Sequence, residues 1–265
     1  MKWADSRRSE WTHQKNCVGI LWLLALEIGG ACSGASKDAG GVMDAGVANG
    51  KAPAPAQLRQ FESDAEAMSE AARGILPGHV ARWDVAASAY GAGTALWPVV
   101  KDAALVAGAR QTNVDAIEGA LDRFSHDLQA QDQRNAETDA NTITNAVPDL
   151  FELFTYNAPT DTLRLDGTFR QLQIDGEFAD WTDATTWLAA TNAIWSRLKG
   201  VVEASAPGRP DLPGALTVVK DVETVIAGSE QLITAINHTA DDATRLVTLA
   251  QSGLDLVDIC EQIFK

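Results

Sequence analysis

The chain says nearly the same thing twice. Residues 83–101 read WDVAASAYGAGTALWPVVK and residues 181–199 read WTDATTWLAATNAIWSRLK, so Trp, Ala, Ala, Ala, Trp and Lys recur at six shared offsets, 98 residues apart. With Trp83 at heptad position a, the a positions are Trp83, Tyr90 and Trp97, and the d positions are Ala86, Gly93 and Val100. The second copy places Trp181, Leu188 and Trp195 at a, with Ala184, Thr191 and Leu198 at d. Bulky residues beside small ones let a helix seat large side chains against a close neighbour, as antiparallel bundles do. The tryptophans are therefore expected in a core rather than against a ligand.

A second echo follows. VPDLFEL at 147–153 matches LVDICEQ at 256–262 at an offset of 109, and the same offset carries Asp132 onto Asp241. Both aspartates precede new apolar-periodic stretches, the position of a helix-capping residue in a helical hairpin. Gly and Pro concentrate at 74–79, 157–159 and 206–214, and the stretches between them lack period-2 alternation. These are helices. The expected fold is all-α: about eight helices in two tandem, pseudo-symmetric four-helix up-and-down units, 57–156 and 157–265. In the first the helices are expected at 57–75, 79–104, 112–130 and 133–155, and in the second at 161–178, 181–204, 213–238 and 241–264. Pro98 and Pro148 stand where the second unit has Ser196 and Val257. Each removes one helical hydrogen bond and frees the carbonyl four residues back, so the first unit is expected to be the more kinked.

The first 31 residues differ from the rest. Arg7, Arg8 and Lys15 precede an apolar run, Cys17 to Leu26, about half the length needed to span a bilayer. A basic start, a short apolar stretch and small residues predict a secretory signal peptide over 1–31. Gly29, Gly30, Ala31 and Cys32 resemble the cleavage and lipidation box of bacterial lipoproteins, although that box usually has Leu where this chain has Gly29. The resemblance implies that Cys32 is the first mature residue, carries a lipid and anchors the protein in the membrane. An ordinary signal peptide cut nearby, with Cys32 incidental, is the other reading. Residues 32–56, rich in Gly, Ala, Asp and Pro, are expected to form a flexible tether. Ser33 after the cysteine resembles the outer-membrane sorting rule, which implies the bacterial cell envelope. With Cys17 lost and Cys32 acylated, Cys260 is left without a disulfide partner, and its apolar neighbourhood marks it as a packing residue.

The chain has 21 basic and 36 acidic residues, and removing 1–31 leaves a net charge of −16. Nucleic acid is excluded as a partner, because phosphate binding needs a basic footprint; metal cations and basic partners are compatible. There is no GxSxG, HExxH, phosphate-binding glycine loop, CxxCH or cysteine pair, and no Glu-x-x-His of a di-iron bundle. No catalytic residue or cofactor is assigned. Asp149 with Glu152, and Asp258 with Glu261, are (i, i+3) pairs that recur in both units, and oxygen-rich pairs suit a divalent cation. The competing reading is a polar outer face or a helix cap. Arg170, four residues after Asp166, has the spacing of a helix-face salt bridge.

ANTITNAVPDLFELF and DTLRLDGTFRQL resemble segments of bacterial helical envelope lipoproteins of no established function. The two-bundle plan is similar to the imelysin-like proteins of periplasmic iron handling, but their Gly-x-His-x-x-Glu motif is missing: Gly78 and His79 are adjacent and no glutamate follows at the spacing. Two functions are expected from these readings. One is a lipid-anchored, non-enzymatic binding or scaffold module that engages an envelope protein; the other is a periplasmic metal-binding protein using Asp149, Glu152, Asp258 and Glu261.

Overall fold

Among the described residues, eight α-helices carry the fold, and two of them start on the repeated tryptophans. A computed structural model describes residues 50–73 and 81–265. The helices are α1 (Ala56–Ala72), α2 (Trp83–Val106), α3 (Gln111–Ala130), α4 (Gln133–Phe151), α5 (Thr160–Phe178), α6 (Trp181–Ser205), α7 (Val218–Ile233) and α8 (Ala240–Ile263). A short 3-10 turn, Ala206–Gly208, follows α6. Among the described residues, no helix is long and apolar enough to cross a membrane. The signal peptide, Cys32, most of the expected tether and His79 lie outside the described residues.

Packing follows the repeat. In the first bundle α1 packs on α2, α2 on α3, α3 on α4 and α4 back on α1; in the second, α5, α6, α7 and α8 close the same circuit. Helices α4 and α5 join the bundles, which lie within one compact unit. Each bundle has its own apolar core. Phe61, Trp97, Ile117, Phe124 and Phe151 belong to the first, and Phe169, Trp195, Leu198, Val222 and Val257 to the second. Each such side chain removed from water contributes about 1.5–3 kcal/mol. The five buried residues of α2 (Ala86, Gly93, Trp97, Val100, Ala104) have buried counterparts in α6 at the 98-residue offset: Ala184, Thr191, Trp195, Leu198 and Val202. Trp83 and Trp181 pack half-buried against their respective cores, and His238 stacks on Trp181 at 3.9 Å. Cys260 is buried in the second core, and burial pushes its thiol up to about 12, so it packs.

Several boundaries differ from expectation. Helix α2 runs unbroken through Pro98, whereas α4 stops at Phe151, three residues after Pro148, instead of reaching 155. Asp132 caps α4, accepting from the Asn135 amide at 3.2 Å. Asp241 does not cap α8. Thr239 does, because its hydroxyl accepts from the Asp242 amide while the Asp242 carboxylate accepts from the Thr239 amide, a reciprocal pair that Asp241 cannot form. Helix α7 starts at Val218 rather than 213, after turns that consume the Pro- and Gly-rich stretch.

The end of the expected tether is not loose. The Ala54 amide donates to the Thr155 carbonyl at 3.1 Å, the Thr155 amide to Ala52 at 2.7 Å, and the Thr155 hydroxyl to Lys51 at 3.0 Å. Low apolar content denies this stretch a core of its own, but extended backbone pairs with extended backbone whatever its side chains.

Candidate functional site

The four proposed metal ligands divide between two places. Asp149 accepts from Arg164 at 2.7 Å and from Asn113 at 3.1 Å, with Arg110 at 3.5 Å, while Glu152 takes the other Arg164 nitrogen at 2.9 Å. This pair borders a cavity of about 590 Å³ at the end of the first bundle, shared with Lys51, Arg110, Tyr156 and Thr160. Asp258 and Glu261 lie elsewhere, on the side of α8 that looks across α5 toward α1. Among the described residues, no three or more His, Cys, Asp or Glu side chains are grouped to hold a metal ion.

The cause lies in register. The apolar core positions of α4 and α8 align as Ala140 with Ala250, Val147 with Val257 and Leu150 with Cys260, a spacing of 110. The carboxylate echo has a spacing of 109. One residue is a turn of about 100° about a helix axis, so repeated letters do not occupy equivalent faces.

The most unusual chemistry lies where α1 and α8 flank α5. These two helices make no extended contact with each other; α1 packs on α2 and α4, and α8 on α5 and α7. Acidic side chains face one another across the gap. Helix α1 contributes Glu62, Glu66 and Glu70 at four-residue steps, which puts them on one helix face. Helix α5 contributes Asp166 and Arg170, both buried. The Arg170 guanidinium donates to Asp166 at 3.1 Å and lies 3.9 Å from both Glu66 and Glu70, so one cation serves three carboxyls. The spacing of Asp166 and Arg170 thus forms a salt bridge as expected, but a buried one.

Crowding shifts the carboxyls. Burial, then the charges of Glu261 and Asp166, push Glu62 up to about 8. Glu66 is held well above the ordinary carboxylate range by burial and by Asp166, and Glu261 is raised by burial with Asp166 and Asp258 adding to it. Glu66 still leaves 32% of its side chain in solvent, and Glu70 leaves 57%, so the seam is reachable. Further along α5 on the same face, Gln173 is 1% exposed; its amide donates to Gln251 of α8 at 3.0 Å, but its Oε1 has no hydrogen-bond partner. Beyond it Arg73, at the end of α1, donates to Glu177 at 2.6 Å.

The other side of α5 is polar too. Asn141 of α4 donates to the Gly167 carbonyl at 3.1 Å and to Gln171 at 2.9 Å, and Gln171 donates to Asp175 at 2.9 Å. Burial pushes Asp175 up to about 8, with Asp183 and Asp180 adding to the effect and Gln171 opposing it. Glu137 of α4, fully buried, is likewise raised to about 8 by burial and the charge of Glu177. Sequence reasoning missed these groups. The one available signal, the i, i+4, i+8 glutamates of α1, has the same form as an ordinary solvated stripe.

Comparison with protein-family models, with curated proteins and with solved structures finds no match for this chain.

Proposed function

We propose that this chain is a lipid-tethered, non-enzymatic binding module of the bacterial envelope whose ligand is cationic and is held in the acidic seam between α1, α5 and α8. The observation that carries the reading is the carboxyl crowding around Arg170: Glu66, Glu70 and Asp166 share one buried guanidinium, with Glu62, Asp258 and Glu261 close by. Carboxyls that repel one another across a solvent-reachable gap are stabilised by any positive charge placed among them. The net charge of −15 also favours the approach of cations and opposes that of nucleic acid. Support for the tether comes from the sequence around Cys32, followed by a stretch without core-forming side chains.

Two measurements test this. Intact mass of the membrane-extracted protein should begin at an acylated Cys32, and an unmodified chain starting elsewhere removes the anchor from the proposal. Thermal unfolding of the full chain should shift upward in proportion to the logarithm of ligand concentration for at least one class of cation, and not for phosphate or sulfate. The same titration with calcium, iron and zinc tests the alternative of a metal-binding protein. If only one divalent ion acts, and replacing Asp258 and Glu261 by Asn and Gln abolishes its effect, metal binding takes precedence.

A further inference from the structure

We infer that the cavity at the end of the first bundle binds a small organic anion, a carboxylate carried on an aromatic body. Its volume of about 590 Å³ lies within the range of small-molecule sites, roughly 300–1,000 Å³. Three features of its lining point to that class of ligand. The first is the balance of charge. Lys51 and Arg110 border the cavity beside Asp149 and Glu152, and Arg164 reaches both carboxylates from α5, at 2.7 and 2.9 Å. Asp161, 3.4 Å from Arg164, is taken by Arg197 through two bonds of 2.9 and 2.8 Å. Among the described residues, the three cations Lys51, Arg110 and Arg164 thus share two carboxylates, an excess of positive charge on a chain whose net charge is −15.

The second is that Arg164 takes the close contacts of both carboxylates. Asp149 accepts from Arg164 at 2.7 Å and from the Asn113 amide at 3.1 Å, which leaves Arg110 at 3.5 Å with 75% of its side chain in solvent. The Lys51 ammonium donates at 2.5 Å to the backbone carbonyl of Glu152 rather than to its carboxylate. The groups that Arg110 and Lys51 touch are three residues apart at the end of α4, about one helical turn. A carboxylate entering there gives both cations the short charge-assisted bonds that Asp149 and Glu152 already make with Arg164. Lys51 is also held in place, because the Thr155 hydroxyl donates to its carbonyl and the Thr155 amide donates to the carbonyl of Ala52.

The third is independent of charge. Leu153, Phe154 and Tyr156 border the same cavity, and the Tyr156 ring packs on the buried Phe151 with centroids 4.6 Å apart. Aromatic rings in tilted or offset contact attract one another beyond the area they bury, so a further ring extends this cluster favourably. An inorganic anion uses only the cations, and a neutral aromatic uses only the apolar side. An aromatic carboxylate uses both.

The test titrates the purified full chain with trans-cinnamate, followed by ligand-observed NMR, with cinnamamide, acetate and inorganic phosphate as comparison probes. Cinnamate should bind more tightly than any of the three, since each lacks either the charge or the ring. Arg110→Gln and Lys51→Gln should each weaken cinnamate about two- to fivefold, the range of an exposed ion pair. Both side chains are exposed, so the fold should survive either change, and the melting temperature checks this. Arg245→Gln, at an exposed arginine of α8, should leave binding unchanged. No binding of cinnamate overturns the inference. So does binding that ignores Arg110 and Lys51: a lower melting temperature with cinnamate affinity intact would assign the two cations to the carbonyl end of α4 alone. Acetate or phosphate binding as tightly as cinnamate overturns it as well, because charge without the ring would then suffice. None of these outcomes touches the acidic seam, so the cationic-ligand reading stands or falls by its own titration.

Discussion

In the first bundle the indole of Trp97 donates to Glu118 at 3.1 Å, and Glu118 also accepts from Lys101 at 2.7 Å. In the second bundle Trp195 is as deeply buried, yet its Nε1 has no partner. The two tryptophans hold the same place in the same heptad, so the repeat preserves shape and not polar partners. The first and fifth helices extend the contrast. Helix α1 buries eight of its 17 residues, whereas α5, its counterpart in the circuit, buries 14 of 19, because α5 also has α4 against it. Equivalent helices in a tandem repeat thus meet unequal surroundings once the two units touch. In this protein the inequality is met with polar side chains: Asp166, Arg170, Gln171, Gln173 and Asp175 are all buried on α5.

That contrast between apolar cores and a polar seam can be broken most severely at Arg170. Arg170→Ala leaves Asp166, Glu66 and Glu70 without their shared cation and should cost about 3–5 kcal/mol by denaturant unfolding. Arg123→Ala, which removes a mostly exposed partner of Asp139, should cost at most about 1 kcal/mol. Equal losses would mean that the seam is no more demanding than the surface.

The pH dependence sharpens the same point. Burial pushes Glu62, Glu137 and Asp175 up to about 8 in the folded chain from an ordinary carboxylate value near 4, so between those values the folded state binds more protons. Stability should therefore fall as pH rises through this window. Groups facing these three include Glu66, Asp166, Arg170, Glu261 and Lys265 around Glu62, Arg73 and Glu177 at Glu137, and Asp180 and Asp183 at Asp175. Calorimetry should show the melting temperature roughly 5 °C lower at pH 8.5 than at pH 5.5, equivalent to about 1–2 kcal/mol. The triple variant with Gln, Gln and Asn at these positions should flatten the profile.

Packing against α8 gives a third probe. A Cβ at Gly253 would lie 2.5 Å from the Phe169 ring, and one at Gly176 would lie 2.9 Å from the Val247 side chain. Gly253→Ala should destabilise by about 1–3 kcal/mol, as overpacking does. Gly200→Ala on the outer part of α6, where a Cβ meets nothing, should be neutral or stabilising by up to about 1 kcal/mol. A comparably small effect is expected at Ala179, which ends α5 with φ of 54°. Ala179→Gly should gain about 0.5–1 kcal/mol by relieving the left-handed backbone, and a loss would show that the turn before Asp180 is held in some other way.

Heptads made the cores legible. Trp83, Ala86, Trp97 and their copies mark one face of one helix in each unit, and helix order then follows from where Gly and Pro interrupt the periodicity. The seam was not legible, because nothing in Glu62, Glu66 and Glu70 distinguishes a stripe facing water from one facing another helix. The pairs at Asp149 and Asp258 part for a related reason: matching letters set the offset at 109, while the core, invisible until α4 and α8 are packed, sets it at 110. Periodicity reports which side of a helix is apolar. It does not report which polar side meets a second domain-sized partner.

The pairing of Thr155 with residues 51–54 also has a mechanical meaning. The chain leaves the folded unit at the corner between α4 and α5, so a pull along it loads that corner before it loads α1. The backbone bonds of Ala52 and Ala54 and the Lys51 contact to the Glu152 carbonyl lie side by side at one spot and would be peeled off in succession. Tyr156 follows Thr155 directly, and burial together with the charges of Glu261 and Glu62 pushes its hydroxyl up to about 12. A pull on residues 51–54 would therefore be felt first beside Tyr156, the residue that senses the charges of Glu62 and Glu261.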